Sequence, residues 1–191
     1  MKQKRIFYSL FFITVIILIL LPFITTFNEF LTRVVEHIGI YTWIQSFIVP
    51  FEVKLVIVVL HMFNIHAYGN ESTIFLVKNG AENFKAEIIW SCVGWQSAIL
   101  LFFTLLTGMQ GKYSFMSKSE TVLIGFFATF WMNIFRMSCV YIIGYFFGQL
   151  PALLFHNYGS TLMIIAWLFF FWWFAYGFIL EEQVIFDRIE K

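Results

Sequence analysis

The chain has 191 residues, 61% of them hydrophobic and 22% aromatic, with 12% charged and a formal net charge of +1. A soluble domain carries about 25% charged residues, so this composition describes a chain that lives in lipid. The small net charge gives no electrostatic grounds for binding nucleic acid, and the length allows a single integral membrane domain, 1–191.

In chain order, the apolar run 6–27 follows Met1-Lys2-Gln3-Lys4-Arg5 and ends without a small-residue cleavage site, which reads as an uncleaved anchor helix. Residues 28–45 mix Glu29, Arg33, Glu36 and His37 with apolar positions and read as amphipathic or membrane-embedded. A helix of about 20 apolar residues crosses the hydrocarbon core. The run 44–66 is long enough, but Pro50, Glu52 and Lys54 interrupt it, and its clean part begins at Leu55. Residues 67–89 are polar. Within them 72–77 and 84–89 have strand composition, and Lys78-Asn79-Gly80 is a turn signal, which predicts a small hairpin outside the lipid.

Further membrane segments follow at 91–107, 121–148 and 160–180, separated by a polar loop at 108–120 and a short loop at 149–157 with Pro151 and His156. The segment 121–148 exceeds one straight crossing, so it tilts or breaks near Ser138. The expected fold is an all-α polytopic membrane protein, a bundle of about five to six transmembrane helices with a small extracytoplasmic hairpin or loop before Cys92. The positive-inside rule puts Met1–Arg5 and Lys112/Lys118 in the cytoplasm, and Cys92 and His156 on the outer side of the plasma membrane. That arrangement needs an odd number of crossings before Ala67. Either 28–45 also crosses, or one early segment is interfacial or re-entrant.

Three reactive side chains have unusual surroundings. Arg136 is the only charged residue between Thr121 and Leu180. An ionised guanidinium at membrane depth costs at least about 2.5–3.5 kcal/mol on insertion scales, so it marks a functional site by default. The competing reading is a snorkelling anchor, but 12 apolar-dominated residues follow it before Gln149. Asn133 stands three residues earlier and projects from the same helical face. Counted from Thr121 at 1.5 Å per residue, Arg136 lies about 22 Å along the helix, toward the Cys92 end.

Cys92 opens an apolar helix, where the macrodipole and free N–H groups favour a thiolate, and Gly94 leaves space beside the sulfur for a peptide backbone. The competing reading is a buried inert thiol. His156 closes a short loop, and an interfacial histidine by itself says little. Together the three supply a nucleophile, a proton acceptor and a positive group for a developing oxyanion. No metal-ligand spacing, phosphate loop or nucleotide fingerprint is visible, so no cofactor or metal is expected.

Three blocks then resemble the exosortase/archaeosortase family of integral membrane proteins, the archaeal branch most. They are Trp90-Ser91-Cys92-Val93-Gly94-Trp95-Gln96-Ser97, Asn133-Ile134-Phe135-Arg136 and His156-Asn157-Tyr158-Gly159, spread over 67–180. Val93 stands where the family has a small hydroxyl residue, and Ser91 where archaeal members have an acid. The resemblance implies a protein-sorting cysteine transpeptidase. Its substrates would be membrane-anchored proteins ending in a short motif, a transmembrane helix and a basic cluster, and a lipid would accept the new C-terminus. Cys92 would be the nucleophile, His156 the acid/base and Arg136 the transition-state stabiliser, with Asn133 and Gly94 in support. Two other classes compete: a non-catalytic membrane scaffold or exopolysaccharide-export accessory protein, and a thiol-redox protein using Cys92 and Cys139.

Overall fold

The structure, a computed structural model, describes Glu29 and residues 32–180. The anchor expected at 6–27 and the polar tail at 183–191 lie outside the described residues. The chain divides into two compact units, Met1–Tyr41 and Thr42–Lys191. In the first, residues 32–38 are helical and stop at Gly39 (φ 77°), whose N–H donates to the carbonyls of Val35 and Glu36 at 3.2 and 3.1 Å. Everything described below, apart from the first two residues of helix α1, belongs to the second.

The protein is mostly helical, and among the described residues four helical runs are long and apolar enough to cross a membrane: Ile40–Met62, Trp90–Gly108, Phe115–Phe147 and Gln149–Ile179. We label the helices α1 (Ile40–Met62), α2 (Trp95–Gly108), α3 (Phe115–Phe147) and α4 (Gln149–Ile179). Large apolar side chains such as Phe103, Phe127, Phe169 and Trp173 point outward, more than half exposed. An apolar exterior of this kind suits lipid rather than water, and the chain has the construction of a multi-pass membrane protein.

Pro50 and Glu52 do not interrupt α1, as the sequence reading expects. A π-helical turn, Ile44–Ile48, ends two residues before Pro50, and the wider turn accommodates a ring that would clash with the carbonyl four residues back in a regular helix. The buried face of α1 then carries Val49, Glu52, Val53, Val56 and Leu60, a helical repeat.

Between α1 and α2 lies a three-stranded antiparallel sheet of β1 (His66–Asn70), β2 (Thr73–Lys78) and β3 (Ala81–Glu87), in the order β1-β2-β3. The β2–β3 turn is Asn79-Gly80 with φ of 55° and 81°, the doubly left-handed pair that matches strand twist in a tight hairpin. The sequence reading misses β1, because His-Ala-Tyr-Gly-Asn has little strand character. Gly69 is there for packing. A Cβ on it would lie 2.8 Å from Ile57 Cδ1 and 3.0 Å from Val53 Cγ1, so the bare backbone lets the strand lie against α1. In β3 the pairing shifts between Leu76↔Phe84 and Val77↔Glu82, leaving Asn83 bulged, and its Nδ2 donates to the Tyr145 carbonyl at 3.0 Å.

The third and fourth helices also differ from expectation. Residues 115–120 belong to α3 rather than to a loop, and Ser114 caps its start by accepting the Ser117 N–H at 3.2 Å. No break occurs near Ser138, whose hydroxyl donates to the Ile134 carbonyl at 2.9 Å and stays within the helix. At 1.5 Å per residue α3 is about 50 Å long, well beyond the hydrocarbon thickness. The chain instead turns at Gly148 (φ 87°), and residues 149–157 are helical from the first residue of α4. Within α4 the segment Phe155–Gly159 is a π-helical turn, and it contains His156.

Two apolar clusters form among the described residues. The first joins α1, the sheet, the Cys92 segment, the C-terminal half of α3 and the start of α4 around Val56, Ile74, Phe84 and Tyr141. The second joins α2 and the C-terminal half of α4 around Leu101, Leu105 and Phe171. Phe84 packs on Gly144, where a Cβ would meet its ring at 2.6 Å, so the sheet covers the end of the bundle where α3 finishes. At the other end the Ser117 hydroxyl donates to the Ile179 carbonyl, and the Tyr176 hydroxyl donates to the Gly108 carbonyl at 3.1 Å.

Candidate functional site

Cys92 lies at the sheet-covered end, in a 3-10 turn, Trp90–Cys92, between β3 and α2. It is not on the first residue of the helix, as the sequence reading places it. The turn closes with the Cys92 N–H on the Ile89 carbonyl at 2.8 Å, and the helix begins three residues later behind Gly94. Gln45, from the π-helical turn of α1, holds this segment. Its Oε1 accepts the Trp90 N–H at 2.7 Å, while its Nε2 donates to the Ile88 carbonyl at 3.5 Å. The Trp90 and Trp95 rings stack with centroids 5.9 Å apart on either side of the cysteine in sequence.

Cys92 is 7% exposed, and its Sγ lies 3.9 Å from Nε2 of half-buried His156. The distance is long for a thiol–imidazole hydrogen bond, as pairs without substrate often are. Among the described residues no third group bonds the other imidazole nitrogen, so the arrangement is a dyad. The π-helical turn matters here, because its extra residue re-aims the side chains that follow Leu154 relative to a regular helix.

Arg136, 9% exposed, completes the constellation from α3. One Nη2 hydrogen bond goes to the backbone carbonyl of Cys92 at 2.7 Å, and the same nitrogen lies 3.6 Å from Met137 Sδ. Nε donates to Asn133 Oδ1 at 3.1 Å. Nη1 has no partner among the described residues, so its two N–H groups are uncommitted. Charge-assisted hydrogen bonds hold the guanidinium at depth, and it does not snorkel.

Asn133 sits under the Cys92–Gly94 turn. Gly94 has φ of 78°, and a Cβ there would lie 2.6 Å from Asn133 Cγ. The space beside the turn, expected to admit a substrate backbone, is therefore filled by Asn133. Nδ2 of Asn133 donates to Glu52 Oε1 at 3.1 Å.

Sequence reasoning missed Glu52 and Gln45. Glu52, treated there as an interruption, is fully buried with Oε2 unpartnered. The available signal was a lone acid in an apolar helix seven residues after a lone amide, a spacing that places both on one face. His61, five residues from His66, is structural: its Nε2 lies 2.9 Å from the Ala67 carbonyl, tying α1 to β1.

A cavity of about 290 Å³ opens beside the dyad. Cys92 and His156 line it, with Met137 and Tyr141 from α3, Leu153 from α4, and the consecutive residues Phe84–Glu87 of β3. Successive strand residues point to opposite faces, so four in a row around one cavity mean that β3 presents its edge to it. The Tyr141 hydroxyl donates to the Ala86 carbonyl at 3.0 Å along that wall. Among the described residues no group of three His, Cys, Asp or Glu side chains could hold a metal ion, and both cysteines are free. No protein family, curated protein or solved structure matches the chain.

Proposed function

We propose that the protein is a membrane cysteine transpeptidase of the exosortase/archaeosortase type, which cleaves a C-terminal sorting signal and passes the new C-terminus to an acceptor, a lipid. One observation carries this reading: a buried thiol 3.9 Å from an imidazole, with a guanidinium bonded to the carbonyl of the same cysteine and N–H groups to spare. The site would face the extracytoplasmic side of the plasma membrane. The apolar run 6–27 would add a fifth to the four membrane-length helices, and an extracytoplasmic Cys92 then requires a sixth crossing before Ala67 or an early segment that is interfacial or re-entrant, residues 40–45 being already part of α1.

His156 Nε2 would take the Cys92 proton as Sγ attacks the scissile carbonyl carbon. The tetrahedral oxyanion would be met by the free N–H groups of Arg136 Nη1, held in place before substrate arrives. Collapse would expel the downstream segment as an amine, which leaves with the proton from His156 and carries away the substrate's transmembrane helix. The acyl chain would remain as a Cys92 thioester. His156 would then accept a proton from the acceptor nucleophile as it attacks that thioester, releasing the sorted protein and restoring the thiol. An extended cleavage motif suits the edge of β3, which among the described residues has a strand partner on one side only.

The test is the intermediate. Protein isolated from its own cells should yield a Cys92 peptide carrying a hydroxylamine-labile acyl mass, lost in Cys92→Ala. Recovery of Cys92 only as a free thiol, or only linked to Cys139, would overturn the reading.

A further inference from the structure

We infer that Glu52 is a positioning residue: through Asn133 it fixes the orientation of the Arg136 guanidinium against Cys92. The inference deepens the proposed thiol chemistry and rests on it for its catalytic meaning, but its geometry stands apart from any substrate.

The argument begins with what each group can donate and accept. Arg136 has only donors. Its Nε–H therefore selects the oxygen of the Asn133 amide, at 3.1 Å. That choice turns the Asn133 NH₂ the other way, toward α1, where it needs an acceptor. Glu52 Oε1 is there at 3.1 Å. The hydrogen bonds run in one direction, from Arg136 to Asn133 and from Asn133 to Glu52, and an acceptor at the far end selects the amide orientation that the near end requires. A donor at position 52 would favour the flipped amide and present NH₂ to the guanidinium.

The surroundings allow no substitute. Glu52 is 0% exposed and Asn133 4%, so water does not readily replace either partner. Gly94 leaves room for the Asn133 side chain and no more, which confines the amide to this slot. Glu52 and Arg136 come from α1 and α3, 84 positions apart in sequence, so the relay also ties the helix bearing the cation to the helix whose Gln45 holds Trp90. Both ends of the Cys92 segment are thus referenced to α1. A carboxylate serving only to balance charge would not need the amide between.

The experiment uses the full chain in detergent micelles, with Cys139→Ser so that Cys92 is the single thiol. Alkylation of Cys92 by iodoacetamide is followed at fixed pH, with the thermal midpoint recorded for each variant. Glu52→Leu removes charge and acceptor together. Glu52→Gln removes the charge but keeps a carbonyl oxygen for Asn133. If the relay positions the guanidinium, the Leu variant releases it from the sulfur's neighbourhood and alkylation slows by about tenfold. The Gln variant stays within about twofold of the parent or reacts faster. If Glu52 acts only as a charge, both variants shift together, and that result overturns the inference, as does a Leu variant that reacts like the parent. Should Glu52→Leu not fold, Asn133→Ala cuts the same relay one residue along and carries the same expectation. No substrate enters these measurements, so a failure here is distinct from a failure to find the thioester.

Discussion

Helix α3 is polar in both halves, but the two halves satisfy their polar groups differently. In the N-terminal half the bonds stay within the helix or make single links to α4: Thr121 donates to the Ser117 carbonyl at 2.8 Å, Thr129 accepts from Trp167 Nε1 at 3.0 Å, and Ser117 donates to the Ile179 carbonyl. In the C-terminal half Asn133 and Arg136 reach other elements, Glu52 on α1 and the Cys92 carbonyl in the turn before α2. A polar group satisfied within its own turn costs little and holds nothing else in place. One that depends on a partner from a distant element fixes where that element sits, and losing either partner leaves the other buried and unpaired. The C-terminal half is where the cavity, the thiol and the imidazole lie.

The comparison breaks most visibly if the reactive half is disarmed. Cys92→Ala should abolish the hydroxylamine-labile adduct altogether, while leaving the second apolar cluster and the thermal midpoint nearly unchanged, as read by mass spectrometry and melting in detergent. Arg136→Lys keeps the charge but replaces a planar fork by a single ammonium, which cannot bond Asn133, the Cys92 carbonyl and an oxyanion at once. If the protein is the proposed transpeptidase, a loss of roughly 10²–10³ in kcat is expected, the magnitude seen when an oxyanion donor is removed. Unchanged turnover in Arg136→Lys would show that the guanidinium is an anchor after all.

Gly94→Ala sharpens the same point through stability. The residue is left-handed, and a methyl group would collide with Asn133. Strain and overpacking together suggest a destabilisation of roughly 1–3 kcal/mol, with slower Cys92 alkylation because Asn133 must move. Gly69→Ala would also crowd its neighbours, Ile57 and Val53, but should leave the thiol's reactivity alone.

How much of this was legible in the sequence follows the same division. Arg136 announced itself because a charge at membrane depth is costly, and Cys92 and His156 stood at segment ends with no obvious structural duty. The structure brings all three together, with Asn133 and Gly94 beside them. Glu52 was hidden by its neighbours. Pro50 and Lys54 made the stretch look like a helix start, and nothing in one sequence says that a π-helical turn will carry the helix through. Strand β1 was hidden because Gly69 is chosen for contact with α1, a tertiary fact that overrides strand propensity. The loop expected at 149–157 failed for a related reason: Pro151 and Asn157 are turn formers, yet Gly148 alone makes the reversal, and Pro151 sits in the first turn of α4 where its missing N–H is harmless.

The smallest effect tests the other half. Trp167→Phe deletes the indole N–H that Thr129 accepts at 3.0 Å, but keeps an aromatic ring beside Phe170 and Phe171, now 5.9 and 6.1 Å away. The Thr129 hydroxyl can turn to a carbonyl of its own helix, so the cost is one ordinary hydrogen bond, about 1 kcal/mol, and a melting shift of a few degrees. Cys92 alkylation should not change. If it slows as expected for a cut Asn133 relay, the two halves of α3 are coupled through the helix itself, and the division between single links to α4 and a site held by a buried relay does not hold.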